Sequence, residues 1–327
     1  MTQSAPAGHD AHLATTGALN RRAAIASVSV ALILALLKSY AVWRTGSIAM
    51  LGSLADTGLD LVASLVTLVA VRIAAQPADS QHRFGHGKAE GLAALFQVSL
   101  ISVAALGIIV RSVQRFGGGN APAAAEYGIG VSLFAILVTL ALLSYQARVI
   151  RLTGSVAINA DSLHYRSDLA LNASVIAALL LESWLHLRGA DALFGIVIGV
   201  WLALGAWRAA THAIDQLMDR EWPLEKRARF LAAAAGHPGI KGLHDLRTRS
   251  SGARDFAQFH IWVDPAMTVA QAHDVMEALE TRLHAAFPEV ELLIHTDPEG
   301  QVDSDDPLAE RDAHAVLADL KAAQESE

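Results

Sequence analysis

Asp56 and Asp60 stand four residues apart in Ser53-Leu54-Ala55-Asp56-Thr57-Gly58-Leu59-Asp60, inside a long apolar run. On a helix that spacing projects both carboxylates from one face, one turn apart. The flanks, Ile48 to Leu51 and Leu61 to Ile73, are apolar enough for a membrane span. An ionisable residue inside a span is costly and usually faces a protein interior or a water-filled path. A second i, i+4 pair, His164 and Asp168, lies in another apolar run beside Asp161 and Arg166. Three carboxylates and an imidazole suit four-coordinate Zn2+ or a similar divalent metal. Four protein ligands leave no position open for water, which favours carrying a metal over hydrolysing with it. Empty, such a cluster holds like charges in a low dielectric and takes up protons. Metal binding must expel them. Metal–proton exchange therefore follows from the ligand types, although its direction does not. The bland alternative is structural: buried acids paired with Lys38 or Arg166, or hydrogen-bonded between helices.

Two further groups carry ligand chemistry. Asp79, His82 and His86 fall within eight residues of a polar loop, Gln76 to Lys88. An acid and two imidazoles at that spacing can share one ion, and a cytoplasmic loop can equally carry them idly. Arg83-Phe84-Gly85 separates the two His, so the H-E-x-x-H helix of metalloproteases is absent. Further on, His244, His260, His273, His295 and Asp297 are spread over a region of strand and helix patterns. His295-Thr296-Asp297 places two potential ligands on one strand face at period two. Any one of these His is more often an ordinary surface or core residue than a ligand, and the argument rests on the set. His186, His212, His237 and His284 are read as ordinary residues, and nothing is built on His9 or His12.

The elements that must position these groups follow from composition. The chain has 327 residues, no Cys, 53% hydrophobic and 17% charged residues, with a mean hydropathy of +0.36. Soluble domains carry about 25% charged residues, and the deficit here is concentrated in the first two thirds. A polytopic all-α membrane domain followed by a soluble one is expected. Zero Cys excludes disulfides, thiolate metal sites and Cys nucleophiles. The net charge of −7 argues against a nucleic-acid partner. Six apolar runs are long enough to cross a bilayer, which takes roughly 20 residues each: Ala23–Trp43, Ile48–Ile73, Gly91–Val110, Tyr127–Leu143, Ala157–Leu181 and Ala192–Ala210. Gly46-Ser47, the stretch Gly117 to Pro122 and Arg188-Gly189 read as turns between them.

Orientation follows from basic residues. Arg21, Arg22, Arg72, Arg83, Lys88, Arg148, Arg151 and Arg208 fall on one side, Arg44, Arg111, Arg115 and Arg188 on the other. The bias puts both termini in the cytoplasm. The Asp56/Asp60 pair then lies about ten residues into the second span, roughly 15 Å deep. His164/Asp168 lies at a similar depth from the opposite face in the fifth, so both pairs approach the midplane of one bilayer about 30 Å thick. Lys38, inside the first run, is expected to snorkel or to face the bundle.

Beyond Arg220 the pattern is α-β-β-α-β. Pro223–Ala235 reads as a helix, Gly242–Ser250 and Phe256–Asp264 as strands, Thr268 as the cap of a second helix, and Val290–His295 as a third strand. The expected organisation is a polar tail (1–20), a six-span transport domain (21–217), a cytoplasmic α+β domain (218–299) and an acidic tail (300–327). Residues 1–20 lack the basic-then-apolar order of a secretory signal.

These residues together resemble the cation diffusion facilitator family. The resemblance is carried by Gly46-Ser47 then Asp56-x3-Asp60, by His164-x3-Asp168, and by Phe84-Gly85-His86-Gly87-Lys88-Ala89-Glu90. Asp245-Leu246-Arg247-Thr248-Arg249 and Ile294-His295-x-Asp297-Pro298 extend it to about residue 299. It implies a homodimeric, multi-pass bacterial inner-membrane antiporter exporting Zn2+, or Cd2+, Fe2+ or Co2+, against incoming protons. Asp56, Asp60, His164 and Asp168 would be the transport site, and Asp79, His82 and His86 a loop site. His244, His260, His273, His295 and Asp297 would form a binuclear site at the dimer interface of a copper-chaperone-like domain. Lys88 and Asp219 would pair between subunits. Two other readings use the same ligands. A membrane metallohydrolase needs an open coordination position and a general base beside it, and neither is visible. A membrane metal sensor would signal through the soluble domain without flux.

Overall fold

The computed structural model describes residues 7–45, 48–115, 128–185, 190–301 and 312–325. The inter-span turns at 46–47, 117–122 and 188–189, and His186, lie outside them. The chain divides into two compact units, one spanning Thr16–Leu217 and one comprising Met1–Thr15 with Met218–Glu327.

The first unit is helical: α1 (Ala7–Thr45), α2 (Ile48–Ala74), α3 (Ala89–Arg115), α4 (Gly128–Thr153), α5 (Val156–Leu185) and α6 (Ala190–Leu217). Among the described residues, all but α5 are long and apolar enough to cross a membrane by length and composition. The 30 residues of α5 reach about 45 Å at 1.5 Å per residue, and its first half carries Asp161, His164, Arg166 and Asp168. These polar residues dilute its hydropathy. Large apolar side chains such as Trp43, Val103 and Trp207 are exposed, as side chains facing lipid are.

Local chemistry fixes the helix contacts that matter. On α6, a Cβ at Gly199 would come within 2.5 Å of Ile109, and one at Gly195 within 2.0 Å of Ser112. Only glycine lets α3 and α6 approach so closely. Gly154, at φ +64, ends α4 with its N–H on the Ile150 carbonyl at 2.8 Å, as a left-handed C-terminal residue does. The Ser155 hydroxyl then donates to Glu90 Oε2 at 2.5 Å and accepts from the Ile158 N–H at 3.3 Å. Asn20 Nδ2 donates to the other oxygen of buried Glu90 at 3.2 Å. The starts of α3 and α5 are thereby tied to α1. Within the stretch expected as a polar tail, α1 already runs from Ala7, and Thr16 and Asn20 are buried. No proline lies between Pro6 and Pro77 to stop the helix.

The second unit is α7 (Leu224–Ala234), β1 (Gly242–Ser251), β2 (Arg254–Val263), α8 (Val269–Ala286), β3 (Val290–Pro298) and α9 (Ala313–Glu325). Gly252 at φ +63 turns the β1–β2 hairpin in two residues, Gly252 and Ala253. A glycine at the first of two loop positions suits this geometry. Thr268 caps α8 in a full capping box with Gln271. The sheet order is β1-β2-β3, with β1–β2 antiparallel and β2–β3 parallel. Ala257, Phe259, Ile261 and Val263 of β2 are buried with Phe230, Leu279, Leu283 and Phe287 of the helix layer. Phe230 packs edge-on to Phe259 and Trp222, at 5.6 and 5.8 Å between ring centroids. In the stretch expected as an acidic tail, Ala313 joins this core, and Asp312 bridges to His244 on β1. Edge strand β1 is thus covered by residues of the chain's own C-terminal segment.

Candidate metal centres

In the helical unit, α2 supplies Asp60 and α5 supplies His164 and Asp168. His164 Nε2 lies 2.9 Å from Asp60 Oδ1 and 3.8 Å from Asp168 Oδ2. One ligand atom from each of the three residues falls within 4.8 Å of the others. The edge of a tetrahedron with 2.0–2.1 Å metal bonds is about 3.3 Å, between the two observed spacings. Asp56, one turn earlier on α2, is exposed and stands outside this trio. Lys38 faces the bundle: its Nζ donates to Thr57 Oγ1 at 2.6 Å and to the Ser53 carbonyl at 3.3 Å. Arg166 is exposed on α5. A lysine ammonium thus docks on the turn of α2 that carries Asp56.

The loop group is held by its own backbone. Asp79 Oδ1 accepts from the N–H groups of His82 at 2.6 Å and Gln81 at 2.8 Å. The N–H of His82, above all, holds the Asp79 carboxyl below its ordinary value, with smaller help from Gln81 and the two imidazoles and against the opposing effect of desolvation. Gly85, at φ +80, turns the chain so that His86 returns to the acid. His82 Nδ1 and His86 Nε2 each lie 3.3 Å from an Asp79 oxygen, and their rings are 4.6 Å apart. Those spacings match a tetrahedral edge. The buried Nδ1 of His86 has no hydrogen-bond partner among the described residues.

In the sheet, strand register does the work. His244 pairs with His260 and His260 with His295, so three imidazoles form one row across β1, β2 and β3. Their face is opposite to the one that carries Phe259 and Ile261, because side chains alternate along a strand. Asp297, two residues beyond His295, sits among them and is buried. Its Oδ2 lies 2.8 Å from His260 Nδ1 and 3.3 Å from His244 Nε2, and its Oδ1 lies 3.1 Å from His295 Nε2. His244 is buried because it stacks on Trp262, 4.4 Å between centroids. His273 is exposed on α8 and is not part of this group. Sequence reasoning passed over Asp245 as a ligand candidate. The irregularity between His244 and Arg247 gives Asp245 a φ of +46 and brings its carboxylate to 3.8 Å from His260 Nε2. An acid directly after a strand His was the available signal. Within one chain, Lys88 Nζ donates to the Leu217 carbonyl at 3.1 Å, and Asp219 lies 3.6 Å from Arg249.

A helical membrane unit with an acid–imidazole group between α2 and α5, joined to an α+β unit with a His/Asp row on its sheet, defines the class: a polytopic membrane protein with clusters of side chains that could hold a metal ion in both parts. A family model described as the cation efflux transmembrane domain matches residues 24–218, and one described as the cation efflux protein, cytoplasmic domain, matches residues 222–299. The cation-efflux pump FieF of Pectobacterium atrosepticum is 43% identical over 276 residues, 84% of this chain and 92% of that protein. Those of Cronobacter sakazakii and Klebsiella pneumoniae are 42% identical, over 86% and 88% of this chain and 94% and 95% of theirs. A solved MamM CTD is 31% identical and covers 23% of this chain and 95% of its own, with a TM-score of 0.21. The chain belongs to the cation efflux family.

Proposed function

We propose that this protein exports divalent cations, Zn2+ foremost, from the cytoplasm across the bacterial inner membrane in exchange for protons. It is a transporter and not an enzyme. The observation that carries the proposal is the meeting of Asp60 with His164 and Asp168 from a different helix of an apolar bundle. Two helices that share a ligand set can open it to either side by rocking against one another, the geometry of alternating access.

Asp60, His164 and Asp168 would hold the cation, with Asp56 completing the set when α2 tightens. Each ligand must release its proton to bind, so loading from the cytoplasm expels protons and protons from outside help to release the cation. The Lys38 ammonium beside Ser53 and Thr57 offsets part of the negative charge of the empty site. Asp79 with His82 and His86, and Asp297 with His244, His260, His295 and His273, would bind further cations that regulate or tighten a homodimer. Both termini would be cytoplasmic, with Lys88 and Asp219 paired between subunits.

The test is flux in proteoliposomes that enclose a Zn2+-sensitive dye, under an imposed pH gradient. The proposal expects Zn2+ accumulation that reverses when the gradient is reversed and collapses with a protonophore. Flux indifferent to the gradient contradicts proton exchange, and no flux at all contradicts transport.

A further inference from the structure

Asp161 lies on α5, three residues before His164, and none of its surface reaches solvent. Its Oδ2 accepts from Ser27 Oγ of α1 at 2.6 Å and from Gln146 Nε2 of α4 at 2.7 Å. Its Oδ1 accepts from Gln97 Nε2 of α3 at 3.1 Å and from Ser64 Oγ of α2 at 3.4 Å. One carboxylate therefore collects donors from each of the four helices that precede it. The network closes on itself. Gln146 Nε2 also donates to Ser27 Oγ at 2.9 Å, Gln97 Nε2 to Thr67 Oγ1 at 3.1 Å, and Tyr165 OH to the Ser27 carbonyl at 3.0 Å. Tyr165 and Ser64 share a further bond of 3.0 Å. Both glutamines aim their amide donors at Asp161 and leave their buried carbonyl oxygens without a partner among the described residues.

A buried carboxylate is costly unless charge-assisted hydrogen bonds surround it. Four donors on four helices can converge on it at only one rotation and one depth of α5. A slip of one residue turns a helix by about 100° and shifts it about 1.5 Å, which would carry His164 away from Asp60. Asp168, seven residues beyond Asp161, lies on nearly the same face of α5, about 10.5 Å along the axis.

We propose that Asp161 is a positioning residue for the intramembrane site: its carboxylate pins α5 to α1–α4 in the register that brings His164 and Asp168 to Asp60. The inference rests on the reading that this site holds the transported cation. It goes beyond that reading by assigning the geometry of the site to a side chain that does not ligate.

The test compares full-length wild type, Asp161→Asn and the double variant Asp161→Asn/Gln146→Glu, each reconstituted in proteoliposomes with a pH gradient. The readouts are apparent KM and maximal rate for Zn2+ and for Cd2+, and Zn2+ binding by calorimetry with the signal of Asp60→Ala subtracted. Asp161→Asn replaces an acceptor by an amide that faces donors. It is expected to raise the KM for Zn2+ about tenfold, the lower end of the cost of losing an outer-shell partner, and to narrow Zn2+/Cd2+ discrimination. The double variant moves the carboxylate across the same contact and is expected to recover KM. A purely stabilising role would lower the amount of folded protein and leave KM and discrimination unchanged, and that result overturns the proposal, as does failure of the double variant to recover KM. If Asp161→Asn does not fold, Ser64→Ala removes one donor, and an unchanged KM in that variant is equally contrary. Absence of flux in wild type overturns the transport reading alone, because the calorimetric comparison still tests the positioning role.

Discussion

In the sheet, Asp297 is buried among three imidazoles at 2.8, 3.1 and 3.3 Å, each held by strand pairing. In the bundle, His164 meets Asp60 at 2.9 Å and Asp168 at 3.8 Å, while Asp56 stays exposed one turn away. The residue types are the same and the supports differ. Backbone hydrogen bonds fix strands about 4.8 Å apart, so the sheet group is set before a cation arrives. The bundle group depends on side chains of two helices and not on backbone pairing, so its ligand spacing is not fixed by a strand ladder. A rigid row suits retention and an adjustable pair suits passage.

The largest effect expected from breaking the contrast is at His164, which contacts both carboxylates of the bundle trio. His164→Ala is expected to reduce Zn2+ flux in proteoliposomes to the liposome background, with the isolated sheet group still binding Zn2+ in equilibrium dialysis. Next comes Asp297→Ala, which removes the acid shared by three imidazoles. It should weaken binding at the sheet group by about 10–100-fold, with the maximal transport rate retained within the same order. Truncation after Gln301 removes α9, the buried Ala313 and the bridge to His244. It should lower the thermal midpoint of the second unit by roughly 4–8 °C, the equivalent of about 1 kcal/mol, seen by scanning calorimetry.

The smallest effect concerns Asp79. A carboxyl held below 3.8 is ionised throughout the neutral and mildly acidic range. The hydrogen bonds to its charged form therefore contribute fully above the unfolded value and are lost only as pH falls through the lower folded value. Asp79→Asn should weaken metal binding at the loop by the same factor at pH 6 and pH 8, about tenfold, as read by tryptophan-independent metal competition.

Much of this arrangement was legible from spacing. His164-x3-Asp168 announced one helical face, and His295-Thr-Asp297 one strand face, because both periodicities are properties of the backbone. The register that sets His244, His260 and His295 in a row was not legible, since it depends on the irregularity after His244. The exposure of Asp56 was hidden as well. Four residues advance a helix by about 6 Å, enough to separate two ligands that share a face. His273 looked equivalent to the strand His, but α8 belongs to the layer on the other side of the sheet. Gln97, Gln146, Ser27 and Ser64 read as unremarkable polar residues in four separate runs. Only packing shows that they converge on Asp161. The burial of Ala313 likewise comes from tertiary contacts that composition does not encode.

The central claim is that the bundle group carries the cation and the sheet group does not. Its most direct test is Zn2+ flux driven by a pH gradient, measured side by side for Asp60→Ala and Asp297→Ala at equal reconstituted protein. The claim predicts flux at background for Asp60→Ala and substantial flux for Asp297→Ala. Equal flux in Asp60→Ala and wild type, or loss of flux confined to Asp297→Ala, would contradict it.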